Sequence, residues 1–327
     1  MKAAVIYNRE GLPEYADMPE PLVKKEGETL VSVKAAALKH FDRGRAKGTH
    51  YSSAENKGES KSAAQIIGGD GVCLLEDGSR VYALGSTGML AEKAIVEKDR
   101  IVPLPEGLDD AIGAALPNAV YGSAMALKFR GEINPGDTVL VNGATGFTGR
   151  VAVQIARHYG AGKIIATGRN PASLQELTAL GADEIISTDQ PGEEFTGRLR
   201  QVHQQSPINL VIDYLWGKTA ELILASLKGN GSFTPKTNYV SVGSITGDLI
   251  QLSAASLRSA DIRIAGSGLG SWTKSQVGVL FREILPEMFQ LAADGKLLIE
   301  TENVALRDIE KCWEWNPGEG KRLVVQI

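Results

Sequence analysis

The stretch Val141-Asn142-Gly143-Ala144-Thr145-Gly146-Phe147-Thr148-Gly149 constrains this chain more than any other. It follows an apolar run at 138–142 and opens a helical pattern in which Val151, Ile155 and Tyr159 share one face. Glycines lack Cβ atoms, so they permit a tight turn, let the backbone approach a pyrophosphate and let the helix pack on the strand, while N–H groups at the helix start attract the anion. The spacing is GxxGxxG rather than GxGxxG. A glycine triplet alone is as easily a mere turn; the strand before it and the helix after it make it a dinucleotide-binding element. Gly143, Thr145, Gly146, Phe147, Thr148 and Gly149 are the expected cofactor contacts.

The surroundings repeat the alternation. After Asn134-Pro135-Gly136-Asp137, strand patterns at 138–142, 163–167, 184–187, 210–214, 239–242 and 262–265 are separated by helical patterns at 148–159, 172–180, 195–204 and 218–227. Strands joined through crossover helices pair in parallel and are covered on both faces. The sequence therefore predicts an α/β fold with a six-stranded, doubly wound parallel sheet.

The rest of the chain reads differently. Short strand patterns at 1–6, 29–37, 72–75, 81–84 and 94–96 point to a small antiparallel region, a polar loop is expected at 43–65, a stiff connector at 102–105 and a helix at 108–127. At 327 residues the chain exceeds the size of one core, about 250–300 residues, so two domains are expected. Their bounds are read as 1–122 completed by 267–327, and 123–266 for the cofactor domain. Lys+Arg 35 against Asp+Glu 39 leaves a net charge of -4, without the basic excess that a nucleic-acid surface needs. The cysteines, Cys73 and Cys312, build neither a disulfide framework nor a structural zinc site, and the histidines form no HxxxH-type pair. The N-terminus lacks a leader-like apolar segment and no apolar run reaches spanning length, so the expectation is a cytoplasmic protein without a membrane partner.

An NAD-selective site places an acidic residue at the end of the second strand to bond the ribose hydroxyls. Here that strand ends in Thr167-Gly168-Arg169-Asn170, and no acidic residue lies between Gly149 and Glu176. Arg169 sits where a guanidinium can grip a 2′-phosphate, so NADPH is the expected cofactor; its alternative reading is a solvated surface arginine. At the carboxyl ends of later strands, Tyr214 with Trp216, Gly243, and Gly266 with Ser267 are candidate cofactor contacts, or else core cover and ordinary turns.

Taken in order, Asp70-Gly71-Val72, Asp77-Gly78-Ser79-Arg80-Val81-Tyr82, Ala91-Glu92, Pro103-Leu104-Pro105, Ala115-Leu116-Pro117, Pro135-Gly136-Asp137-Thr138-Val139-Leu140-Val141, the glycine turn, Val153-Gln154-Ile155-Ala156 and Leu180-Gly181-Ala182-Asp183 carry a resemblance over essentially the whole chain. It resembles the medium-chain dehydrogenase/reductase superfamily, in its zinc-free quinone-oxidoreductase branch. The resemblance implies a GroES-like β-rich catalytic domain, a Rossmann cofactor domain and an active site in the cleft between them. Zinc-dependent relatives carry a cysteine and a Gly-His-Glu where this chain has Leu38-Lys39-His40-Phe41-Asp42 and Gly68-Gly69-Asp70-Gly71, so no metal is expected. A nicotinamide-facing asparagine of relatives aligns with Lys39, and a cofactor-contacting threonine aligns with Gly122, beside Ser123.

The expected activity is NADPH-dependent reduction of quinones or activated conjugated carbonyl compounds, with hydride supplied by the cofactor and no metal. Tyr51, Lys39 and Ser123 are the candidate catalytic groups, able to stabilise or protonate a developing oxyanion. The rival reading is an NADPH-binding redox-responsive or structural protein with little turnover. A short-chain-type reductase is disfavoured because such proteins begin with the glycine motif. A homodimer is expected from the resemblance and from the 262–265 strand at the sheet edge.

Overall fold

The computed structural model describes residues 1–8, 11–48 and 64–327. The chain divides into two compact units, Met1–Pro117 with Phe281–Ile327, and Asn118–Leu280.

The first unit contains β1 (Lys2–Ile6), β2 (Glu14–Asp17), β3 (Glu28–Leu38), the short helix α1 (His40–Ala46), β4 (Gln65–Ile66), β5 (Asp70–Leu74), β6 (Arg80–Gly85) and β7 (Lys93–Pro103). Helix α2 (Asp110–Met125) begins in this unit and continues into the second. In the second unit follow β8 (Thr138–Asn142), α3 (Phe147–His158), β9 (Lys163–Gly168), α4 (Pro171–Ala179), β10 (Glu184–Ser187), α5 (Gly192–Gln205), β11 (Ile208–Asp213), α6 (Gly217–Ser226), β12 (Thr237–Ser241), α7 (Ala254–Ser259) and β13 (Ile262–Gly266). Strands β14 (Glu300–Ala305) and β15 (Lys321–Gln326) return to the first unit.

In the first unit β3 pairs with β5 and β7, and β5–β6–β7 are joined in antiparallel hairpin order, so the ladder closes on itself. The alternation of β3 places Val31 and Val33 inward, where they join Cys73, Val81, Ala83, Trp313 and Val325 in one core. Two readings of the sequence change here. Residues 43–46 of the expected loop belong to helix α1, because Asp42 accepts the Lys39 N–H at the helix start and nucleates the turn; residues 49–63 of that loop lie outside the described residues. Val102 and Pro103 belong to β7, where Pro103 registers with Val81 as the last residue of the strand.

The second unit carries the six-stranded parallel sheet in the order β10-β9-β8-β11-β12-β13. All five residues of β8 are buried, as expected for a strand covered on both faces. Leu140, Ile165, Phe195, Leu199, Val211 and Ile223 form one of its cores. A fully buried side chain of this kind stabilises by roughly 1.5–3 kcal/mol. The strand order reverses between β8 and β11, the switch point at which open α/β sheets bind ligands beyond the carboxyl ends of their strands.

Candidate functional site

The glycine turn leaves the carboxyl end of β8 at the switch point. Gly143 has φ +83, and a Cβ there would lie 2.9 Å from the Leu215 side chain, so both conformation and space demand glycine. At Gly149 a Cβ would meet Gly143 O at 2.4 Å; helix α3 packs directly on the turn that starts it. Gly146 differs. It is exposed, its φ of -70 suits any residue, and the nearest atom to a Cβ would be 3.8 Å away. What its missing side chain keeps open is the approach to the helix start, and among the described residues no side chain caps α3. Helix α4, by contrast, is capped by Asn170, whose side chain accepts from Ala172 N and Ser173 N. An uncapped, glycine-lined helix start at a switch point has backbone N–H groups to offer an anion.

The turn is braced from beneath. Ala144 N donates to Thr167 O at 2.8 Å, and the buried Arg150 donates its Nε to Thr145 O at 3.1 Å while its other end pairs with Glu176. Sequence reasoning missed Arg150, which reads as an ordinary helix arginine. Thr145 is buried, and a Cβ on Gly168 would lie 2.5 Å from its Cγ2, so the end of β9 admits no side chain there. Arg169, the next residue, is exposed and makes no ion pair among the described residues. Phe147 is buried and Thr148 half-buried in the first turn of α3.

At the end of β11, Tyr214 is 7% exposed; its hydroxyl donates to Gly122 O at 3.0 Å and contacts Ser123 Oγ at 3.3 Å. Burial pushes its pKa up, so it remains a neutral donor. Ser123 is fully buried and donates to Ala119 O at 2.6 Å, one helical turn back. Gly243 lies against Tyr214: a Cβ there would be 2.7 Å from Tyr214 O. Gly266 is exposed with no atom near a would-be Cβ, and Ser267 is buried, its backbone N–H donating to Ser241 O and its hydroxyl accepting from Trp272 Nε1. The structure thus brings Gly143–Gly149, Arg169, Tyr214, Ser123, Gly243, Gly266 and Ser267 to one unit, most of them along the carboxyl edge of its sheet.

Lys39 lies in the other unit and is buried. Its ammonium bonds Asp70 Oδ1, Ala37 O at 3.2 Å and Asp42 Oδ2 at 3.2 Å, which occupies all three of its N–H groups. Tyr82 donates to the second oxygen of Asp70 at 2.6 Å, and Gly69 N to the second oxygen of Asp42 at 3.1 Å. Burial pulls the Lys39 pKa down, but the charges of Asp42 and Asp70 outweigh it and the net shift is upward. Tyr51 lies outside the described residues.

A family model described as zinc-binding dehydrogenase matches residues 148–292. Along 96% of both chains, this protein is 29% identical to a probable NADPH-dependent quinone reductase of Emericella nidulans. Its fold superposes on the quinone oxidoreductase of Thermus thermophilus, solved alone and in complex with NADPH, with a TM-score of 0.80, 28% identity and full coverage of both chains. Over its whole length the chain is thus similar to quinone oxidoreductases of the medium-chain dehydrogenase/reductase superfamily. Similarity also extends to larger proteins: a phenolphthiocerol-synthesis polyketide synthase of Mycobacterium marinum is 26% identical over 271 residues, and the matched stretch spans 12% of its length.

The zinc named in the family description does not fit these residues. Between Asp42 and Asp70 the cation is the chain's own Lys39 ammonium, and among the described residues no group of three or more His, Cys, Asp or Glu side chains is placed to hold a metal ion. No helix among the described residues is long and apolar enough to cross a membrane.

Proposed function

We propose that this oxidoreductase uses NADPH to reduce quinones or other activated, conjugated carbonyl compounds. One observation carries the reading: an uncapped α3 start, kept open at Gly146, stands at the switch point, and the exposed Arg169 follows β9 in a stretch with no acidic residue between Gly149 and Glu176. The names of the relatives support it. Backbone N–H groups from Gly143 to Gly149 would hold the pyrophosphate, Thr145 and Thr148 would flank it, and Arg169 would take the 2′-phosphate. Tyr214, Gly243, Gly266 and Ser267 would border the nicotinamide half of the dinucleotide.

When bound, the cofactor supplies the hydride. The chain's part is to orient the reactants and to exclude water. Lys39 and Ser123 are both bonded inside the protein, so the quinol or enol oxygen would be protonated by solvent or by a group other than these two. That engagement is also what favours the second reading, an NADPH-binding protein with little turnover.

A panel decides between them. NADPH oxidation is followed with quinones, enones and aldehydes as acceptors. Turnover with a quinone or enone supports the reductase, tight NADPH binding without turnover on any member supports the second reading, and absence of NADPH binding overturns both.

The assembly we propose is a homodimer. β13 ends the parallel sheet with Arg263 and Ile264 exposed, and antiparallel pairing with a second copy would satisfy its outer backbone groups. Light scattering is expected to give twice the chain mass; a monomer at working concentration would remove the dimer from the proposal.

A further inference from the structure

A polar chain crosses the carboxyl edge of the parallel sheet beneath the glycine turn. Thr167 Oγ1 on β9 donates to Asn142 Oδ1 on β8 at 2.7 Å, Asn142 Nδ2 donates to Asp213 Oδ1 on β11 at 2.7 Å, and Tyr239 OH on β12 donates to Asp213 Oδ2 at 2.6 Å. All four side chains are buried. Asp213 Oδ1 accepts two further bonds, from Leu215 N at 2.9 Å and Trp216 N at 3.1 Å. Every one of these partners is a donor, and among the described residues no lysine or arginine pairs with Asp213.

The segment that Asp213 grips is strained. Trp216 has φ 58 and ψ -150, a backbone conformation that glycine adopts freely and a tryptophan does not. Its N–H is turned toward the carboxylate, its carbonyl accepts from Thr219 and Thr246 hydroxyls, and its ring meets Tyr239 edge-on. The two residues before it reach both sides of the candidate site. Leu215 covers Gly143, and Tyr214 bonds Gly122 and Ser123. In a doubly wound sheet the first three strands face the adenosine half of a dinucleotide and the second three face the other half. The gripped segment leaves the first strand of that second set.

We propose that Asp213 is a positioning residue: its buried carboxylate holds Leu215 and Trp216 by their N–H groups, with Trp216 in a glycine-like conformation, and thereby shapes the part of the site that receives the nicotinamide. This rests on the NADPH reading given above. Asp213 need not touch the cofactor, because it acts through the backbone it holds. Burial and the Asp213 charge push the Tyr239 pKa up, which keeps that hydroxyl a donor to the carboxylate.

The experiment compares dissociation constants for NADPH and for adenosine 2′,5′-bisphosphate, which occupies only the adenosine half. In Asp213→Ala, NADPH is expected to weaken about 10-fold or more, by loss of charge-assisted bonds, while the bisphosphate stays within about twofold of wild type. Asp213→Asn should recover most of the NADPH affinity, since its Oδ1 still accepts from Leu215 and Trp216 and the Tyr239 hydroxyl can turn to accept from Nδ2. A second comparison serves even where the alanine variant does not fold. Trp216→Gly relieves the strained residue, so adding Asp213→Ala to it should weaken NADPH by no more than about threefold. Equal losses of both ligands, unchanged NADPH binding in Asp213→Ala, or a full 10-fold loss in the glycine background would overturn the proposal. Wild-type protein that binds neither ligand would instead remove the NADPH reading on which it stands.

Discussion

The Lys39 ammonium bonds Asp70 inside the first unit with the two side chains 2% and 5% exposed, and Asp42 meets the same ammonium at 3.2 Å. Arg322 stands close enough to feel both carboxylates, and burial pushes its pKa down to about 10. Removing one partner of a buried pair leaves uncompensated charge, which costs about 3–5 kcal/mol. Lys39→Met should therefore lower the unfolding free energy by that order, read from a denaturant midpoint. An unchanged midpoint would return Lys39 to the candidates for chemistry.

Arg169 tests the cofactor preference. A 2′-phosphate needs a charge partner, and a hydrogen bond to a charged group contributes ~1.5–3 kcal/mol, so Arg169→Ala should weaken NADPH by roughly 10- to 150-fold. NADH offers a hydroxyl at that place, and its binding should barely move. Added salt should erode the wild-type preference, because the exposed guanidinium is screened. Equal losses for both cofactors in titrations of wild type and variant would eliminate the assignment.

Alkaline pH should weaken the fold through three groups. Lys39 is raised above 10.5 in the folded protein, and Tyr214 and Tyr239 are raised above 10.0. Each binds its proton more tightly when folded, so its contribution is fully present below the unfolded pKa and is lost as pH rises through the folded one. Unfolding free energy, measured from neutrality upward, should stay level for these groups until about pH 10 and then fall. Tyr239→Phe, which cannot ionise, should show a shallower fall; an identical slope would exclude Tyr239 as a contributor.

The parallel sheet was legible because its strands are short apolar runs separated by helical patterns of ordinary length, and β8, β10 and α3 lie within a residue or two of where the periodicity puts them. Local signals also carry Gly143, whose φ of +83 is set by the turn itself, and Gly149, which packs on Gly143 and Ala144; the Leu215 side chain that also crowds Gly143 is a tertiary contact. The interior of the site was not legible. Lys39 and Asp70 are 31 residues apart and Asn142 and Asp213 are 71 apart, so only the folded chain shows that their charges and hydrogen bonds are spent on one another. Lys39 and Ser123 offered a proton donor by residue type, and burial with satisfied partners is a tertiary property that type does not encode. Arg150 escaped for the same reason: its guanidinium acts on a carbonyl that the turn, rather than the helix, presents.

The contact between Thr145 and Gly168 bears on how this protein can change its cofactor. A site selective for the unphosphorylated dinucleotide needs a carboxylate at the end of the second strand. Here the Thr145 methyl group occupies the space that the first carbon of any side chain at 168 would enter, 2.5 Å from it. An acidic residue at 168 therefore meets a filled position unless Thr145 is reduced in the same step. Single-residue drift along that route passes through a disrupted phosphate turn, whereas a paired change, Thr145→Gly with Gly168→Asp, opens it. The preference proposed for Arg169 would then be held against gradual reversal by steric occupancy as well as by the guanidinium next door.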